Sequence, residues 1–105
     1  MKKETIGRIR AFSKDRDWDK YHTPANLAKT ICVEATELLE CFQWNDEQFD
    51  LDHVKEELAD VIVNCQNLLD KLCLNVDEIV NKKMEQNEKK YPVAKFKSLD
   101  KKYNE

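Results

Sequence analysis

A chain of 105 residues has room for one domain, and a domain this small leaves apolar surface that only another copy can cover, so self-association is expected from the outset. Charged residues make up 37% against 41% hydrophobic, with one glycine and two prolines, a profile of long helices that excludes a hairpin-rich sheet protein. A formal net charge of -3 excludes a surface built to grip polymeric DNA or RNA, which concentrates Lys and Arg on one face.

The first helix is expected from about Lys3 to Ser13, with Ile6, Ile9 and Phe12 on one side, ending in the charged stretch Lys14-Asp15-Arg16-Asp17. An aromatic-rich connection follows, Trp18 to His22. Thr23-Pro24 then places a capping residue ahead of a proline at the first helical position, where a missing N–H costs nothing, so a second helix should run from Pro24 to about Gln43. Asn45 through Asp52 reads as a short acidic loop. Beyond it Val54, Leu58, Val61, Cys65, Leu68 and Leu72 recur at spacings of three and four, the pattern of a helix with one apolar face. Asn75-Val76-Asp77-Glu78, a cap residue with Glu three later, opens a fourth helix that runs to about Lys90 and stops at Tyr91-Pro92. The tail from Val93 to Glu105 is expected to be loosely ordered or to dock. One domain therefore covers 1–105, an all-α four-helix bundle completed by dimerisation.

Cys32, Cys41, Cys65 and Cys73 form no CxxC pair and each lies in an expected helix, so they read as buried, reduced packing residues rather than a zinc knuckle or disulfide framework. The N-terminus is polar and no apolar run approaches membrane-spanning length, so a cytoplasmic protein with no membrane partner is expected.

Carboxylates stand where packing asks for hydrophobes. At about 100° per residue, Leu27, Ile31, Leu38 and Cys41 share a stripe of the second helix, with Glu34 in its middle and Glu37 at its edge. A solitary ExxE is ordinarily a solvated face. An acid inside an apolar stripe, however, demands a proton, a base or a metal ion, because desolvating it unpaired costs several kcal/mol, on the order of 3 or more. Glu57, Asp60 and Asn64 line the flank of the third helix's stripe, while Glu56 points away. If these two helices pack antiparallel, Glu34, Glu37, Glu57 and Asp60 converge, and an all-oxygen cluster suits Mg²⁺ or Mn²⁺. On the fourth helix Lys83 and Asn87 share the side of Val76, Val80 and Met84, followed by Tyr91, as contacts to a phosphate or sugar would. A carboxylate-held metal with a basic group opposite is the equipment of phosphoryl or pyrophosphoryl chemistry.

Glu34-Ala35-Thr36-Glu37, followed by Glu57-Leu58-Ala59-Asp60, resembles the ExxE…ExxD signature of the MazG-like all-α nucleotide pyrophosphohydrolases. The likeness extends through Arg16-Asp17-Trp18, His22-Thr23-Pro24, Asn26-Leu27, Phe42-Gln43-Trp44 and the run from Lys83 through Asn87 to Tyr91-Pro92, blocks that resemble the dCTP pyrophosphatase branch. Val33 and Thr36 depart from it, standing where members commonly carry glycine. The resemblance implies a homodimer or dimer of dimers that hydrolyses a nucleoside triphosphate, dCTP or a modified dCTP, to monophosphate and pyrophosphate in nucleotide pool sanitation. By position it makes Glu34, Glu37, Glu57 and Asp60 the Mg²⁺ ligands. It assigns Trp18, His22 and Trp44 to base and sugar, and Lys83, Asn87 and Tyr91 to phosphates or sugar. His53, in a polar helix start, is expected to face solvent.

Two other readings compete. A di-iron carboxylate bundle would also gather four acids, but it wants Glu-x-x-His pairs. A non-enzymatic helical interaction module would use its charges only for solubility and would gain no stability from Mg²⁺.

Overall fold

The computed structural model describes residues 1–97, and every regular element among them is helical. Two compact units divide the chain, one spanning Met1–Leu74 and one beginning at Asn75. The first contains α1 (Lys3–Asp15), a 3₁₀ turn (Asp19–Tyr21), α2 (Pro24–Glu40) and α3 (Leu51–Lys71). The second contains α4 (Val76–Lys90) and the single turn α5 (Val93–Phe96).

Local chemistry accounts for the boundaries. Thr23 caps α2 as expected, its Oγ1 accepting from the Asn26 N–H at 3.1 Å, with Pro24 at the first helical position. α2 ends at Glu40, short of Gln43, and a run of tight backbone hydrogen bonds carries the chain through Cys41, Phe42 and Gln43. α3 starts three residues before the expected Val54 because the Asp50 carboxylate accepts from the Asp52 and His53 N–H groups and so caps a turn that has no apolar signal. Asn75 opens α4 by accepting from the Glu78 N–H at 3.1 Å.

With almost no glycine available, α1 and α3 end on non-glycine residues in the left-handed region, Asp17 at φ 55° and Cys73 at φ 54°. Both ends carry the paired Schellman hydrogen bonds. Trp18 N–H reaches Ser13 O and Asp17 N–H reaches Lys14 O; likewise Leu74 N–H reaches Leu69 O and Cys73 N–H reaches Asp70 O. The motif brings the residue after the left-handed one back against the last helical turn. Trp18 accordingly packs edge-on against Phe12, ring centroids 5.5 Å apart.

α2 and α3 form an antiparallel pair, with Cys41 at the end of α2 close to Asp50 and Glu57 near the start of α3, and Glu34 further back facing Glu57 and Asp60. α1 is tied to α3 by a two-pronged pair: Arg10 Nη2 donates to Asp70 Oδ1 at 2.8 Å and Arg10 Nε to Asp70 Oδ2 at 3.0 Å. Buried Gln66 supports Asp70 through a 3.0 Å bond from Nε2. These bonds and the Arg10 charge hold the Asp70 carboxyl below its ordinary range against the opposing effect of burial, the Arg10 bond contributing most.

The apolar stripe of α2 is realised, with Leu27 only 2% exposed and Ile31, Glu34, Leu38 and Cys41 half-buried. On α3 the expectation needs correcting. Leu58 is 45% exposed and Leu72 is also turned outward, while Val54, Glu57, Val61, Cys65 and Leu68 are the half-buried set. The facing helix sets the rotation of α3, and it draws in the acid rather than the neighbouring leucine. The cysteine reading needs correcting too, since Cys32 and Cys73 are exposed, and only Cys41 and Cys65 are half-buried. All four are unpaired thiols.

In the second unit, Val76, Ile79, Val80 and Met84 are exposed, Lys83 is exposed, and Asn87 and Tyr91 are half-buried. The Tyr91 N–H closes α4 on Asn87 O at 2.8 Å, and the Tyr91 ring meets Phe96 edge-on at 5.3 Å. The expected tail thus begins with an ordered turn, and its remainder, 98–105, lies outside the described residues. No helix among the described residues is long and apolar enough to cross a membrane.

Candidate active site

Glu34 and Glu37, one turn apart on α2, and Glu57 on α3 point at one another across the helix pair, each offering a carboxylate oxygen within 4.8 Å of the others. Antiparallel packing produces this, because the three-residue step on α2 puts Glu34 and Glu37 on the side facing Glu57; Asp60, expected to converge with them, is exposed and lies outside the group. Glu57 keeps only 15% of its side chain exposed. Two oxygens in the cluster, Glu34 Oε2 and Glu57 Oε2, are buried without any hydrogen-bond partner. Buried carboxylate oxygens are normally satisfied, so each orphan marks a place where a cation or proton belongs.

The electrostatics agree. Burial pushes the Glu34 carboxyl above its ordinary range, helped by a hydrogen bond to Glu37 that only the protonated form can donate, then by the charges of Glu37, Asp60 and Glu57. Burial also raises Glu57, followed by the hydrogen bond and charge of Glu37 and the charge of Asp60, with His53 opposing. The Cys41 thiol, bonded through Sγ to Glu37 O at 3.6 Å, is pushed up by burial and by Glu57. Three converging carboxylates, with the Asp60 charge beside them, are the kind of all-oxygen donor set that suits a hard divalent cation better than a monovalent one. The donor set fits Mg²⁺ or Mn²⁺, all oxygen, with two oxygens uncommitted.

Asp60 connects this cluster to a cleft of 550 Å³ between α1, the Trp18–His22 connection and α3. Phe12, Trp18, His22, Asp60 and Asn64 line it. Its walls are largely apolar, with amide, imidazole and carboxylate groups set among them, as suits a flat heteroaromatic ring carried on a polar tail. A second cleft of 650 Å³ shares His22 but is more polar; its walls include the Arg10–Asp70 pair and Lys71, whose Nζ bonds Asp19 Oδ1 at 3.2 Å.

The residues singled out from sequence are distributed as follows. Glu34, Glu37 and Glu57 converge, Asp60 adds its charge to them and faces the cleft, and Trp18 and His22 stand in its wall. Trp44 lies on the loop after α2, 90% exposed and in neither cleft. Lys83, Asn87 and Tyr91 belong to the second unit. Sequence reasoning missed the contribution of α1, whose Arg8, Ile9 and Phe12 form part of the cleft; the spacing of Ile9 and Phe12 was visible, but not what they would face. His53 is exposed, as expected of a polar helix start, and its Nε2 lies 3.2 Å from Glu57 Oε1 one helical turn further on.

Comparison with known proteins meets the site here. Residues 29–105 match the MazG-like family. Human dCTP pyrophosphatase 1 is 31% identical over 97% of this chain and 66% of its own length, and the mouse protein of that name is 32% identical over 86% and 59%. The chain thus spans about two-thirds or less of the length of the curated relatives it matches. A crystal structure of a pyrophosphatase from Archaeoglobus fulgidus superposes with a TM-score of 0.80 at 45% identity, covering 85% of this chain and 90% of that one. On the family match and the shared fold, this chain belongs to the MazG-like family.

Proposed function

We propose that the protein is a divalent-metal-dependent nucleoside triphosphate pyrophosphohydrolase, adding water across the α–β anhydride to release nucleoside monophosphate and pyrophosphate, with dCTP or a modified dCTP as substrate in nucleotide pool sanitation. The observation that carries this is the pair of orphaned oxygens, Glu34 Oε2 and Glu57 Oε2, in a carboxylate cluster that shares Asp60 with an open cleft. Glu34, Glu37, Glu57 and Asp60 would hold Mg²⁺ or Mn²⁺. When bound, the ion neutralises the phosphate charge and acidifies a water. Trp18 stacks against the base, and His22 and Asn64 offer polar contacts in the same wall. Trp44, 90% exposed, would contact the base or sugar from outside the cleft. The family resemblance supports assigning Lys83, Asn87 and Tyr91, in the second unit, to phosphate or sugar.

The relatives' names support the dCTP assignment. One catalytic domain comprises both units, as the family match running from 29 through α4 supports. The homodimer or dimer of dimers is supported by exposed apolar side chains on every long helix, Phe12, Val33, Leu39, Leu58, Ile62 and Val80 among them. A panel of natural and cytosine-modified deoxynucleoside triphosphates, scored separately for pyrophosphate and orthophosphate with Mg²⁺, tests the reading. Pyrophosphate from dCTP at a higher kcat/KM than from the other natural bases is the expected result; orthophosphate alone, or turnover unchanged in Asp60→Asn, overturns it.

A further inference from the structure

We propose that His53 is a positioning residue for Glu57, presenting one oxygen of that carboxylate to a divalent ion; the role rests on the metal-site reading above. The two residues are four apart on α3 and so share a face of the helix. His53 Nε2 lies 3.2 Å from Glu57 Oε1, whereas Glu57 Oε2 is buried and has no partner. The carboxylate is therefore divided, one edge facing an imidazole at the solvent side and the other buried without a partner, on a side chain that converges with Glu34 and Glu37. The ring does not itself belong to the group of converging ligand atoms among the described residues.

The backbone from which the ring projects is ordered by the cap of α3. The helical turn that carries His53 is fixed by Asp50, whose Oδ1 accepts from the Asp52 N–H at 3.0 Å and the His53 N–H at 3.5 Å and whose backbone oxygen accepts from Val54 N–H at 3.0 Å. A glutamate on a helix has three side-chain torsions to lose on ligating a metal. A ring lying one turn ahead and 3.2 Å from Oε1 restricts part of that freedom in advance and takes up the Oε1 edge, which leaves Oε2 as the ligating atom. Outer partners of this kind ordinarily change metal affinity by about 10- to 100-fold.

The test uses the full chain and Mn²⁺ alone, titrated by electron paramagnetic resonance, in wild type, His53→Ala, His53→Gln and Glu57→Gln, with helical content checked by circular dichroism. Wild type is expected to bind and Glu57→Gln to lose binding. His53→Ala should weaken Mn²⁺ by about 10- to 100-fold, while His53→Gln, whose amide nitrogen reaches the place of Nε2, should stay within about threefold of wild type. Should His53→Ala fail to fold, His53→Asn replaces it, its amide being too short to reach Oε1. If His53→Ala (or His53→Asn in its place) binds as wild type does, or His53→Gln is equally impaired, while Glu57→Gln still loses the ion, the positioning role is overturned and the metal site stands. A wild-type protein that takes up no Mn²⁺ removes both together.

Discussion

Replacing Glu34 by Gln should make the metal-free protein more stable and the metal-loaded protein less so, an inversion that an ordinary structural glutamate would not show. Glu34, Glu37 and Glu57 offer oxygens within 4.8 Å of one another, and two full charges at that separation repel by about 3.5 kcal/mol at an effective dielectric of about 20. Solvent reaching the cluster takes up most of this, leaving about 1 kcal/mol to be recovered when the Glu34 charge is removed. The new amide is not stranded, since its N–H can donate to Glu37. For a domain of this size about 1 kcal/mol corresponds to a melting temperature higher by roughly 4–8 °C.

With metal the sign reverses. An ion at a hundredfold excess over its Kd stabilises by about 2.7 kcal/mol, or roughly 10–20 °C, and the variant, having lost a central ligand, should keep less than about a third of that. Thermal melts of chelator-treated wild type and Glu34→Gln, with and without Mn²⁺, read both effects in one experiment. A variant that melts lower than wild type without metal, yet gains the full wild-type shift with Mn²⁺, would refute the argument that burial and crowding of these acids exist to hold a cation.

The metal-induced stabilisation should also grow with pH. Glu34 and Glu57 titrate above their unfolded values, so without metal their contribution favours folding below the ordinary carboxylate range and is lost as pH rises through the raised values. An ion needs the deprotonated forms, so the Mn²⁺-dependent rise in melting temperature should be larger at about pH 7.5 than at about pH 5; an equal rise at both would place the ion elsewhere. Trp18→Ala should raise KM for the nucleotide by about 5- to 100-fold, the loss of about 1–3 kcal/mol of stacking, with kcat changed far less; steady-state kinetics showing the reverse split would assign Trp18 to packing alone. Leu27→Ala removes the one fully buried hydrophobic side chain among the described residues and should cost about 2–4 kcal/mol, read as a fall in melting temperature of roughly 8–30 °C.

How far the site could be read beforehand depends on whether each feature is local. Thr23-Pro24 announces the start of α2 because capping and the fixed proline φ act within three residues. Asp50 caps α3 just as effectively, but it lies among other acids of a loop and no apolar residue marks the first turn, so the signal is diluted. The anomaly of Glu34 is visible on its own helix. The choice of Glu57 over Leu58 as the inward residue is not, because a helix with acids and hydrophobes on adjacent faces can be rotated either way until its partner is specified. The exposure of His53 follows from its polar helix start, but its approach to Glu57 Oε1 depends on the rotation of α3 that turns Glu57 inward. What no local pattern carries is the convergence of α1 with Trp18 and Asp60, which depends on the turn after α1 folding Trp18 back onto Phe12.

The same placement of acids explains why the chain looks underpacked alone. The space between α2 and α3 that leucines would ordinarily fill is given to Glu34 and Glu57, and Leu27 is left as the one hydrophobic side chain fully out of water among the described residues. A fold that commits its interhelical seam to charge must recover apolar burial elsewhere, and the exposed faces of Val33, Leu39, Leu58 and Ile62 are the surface available for it. On the proposed reading the two would be coupled through stability: an ion would relieve the repulsion inside the seam, a second copy would cover the hydrophobes outside it, and each would lower what the other must supply for the chain to stay folded.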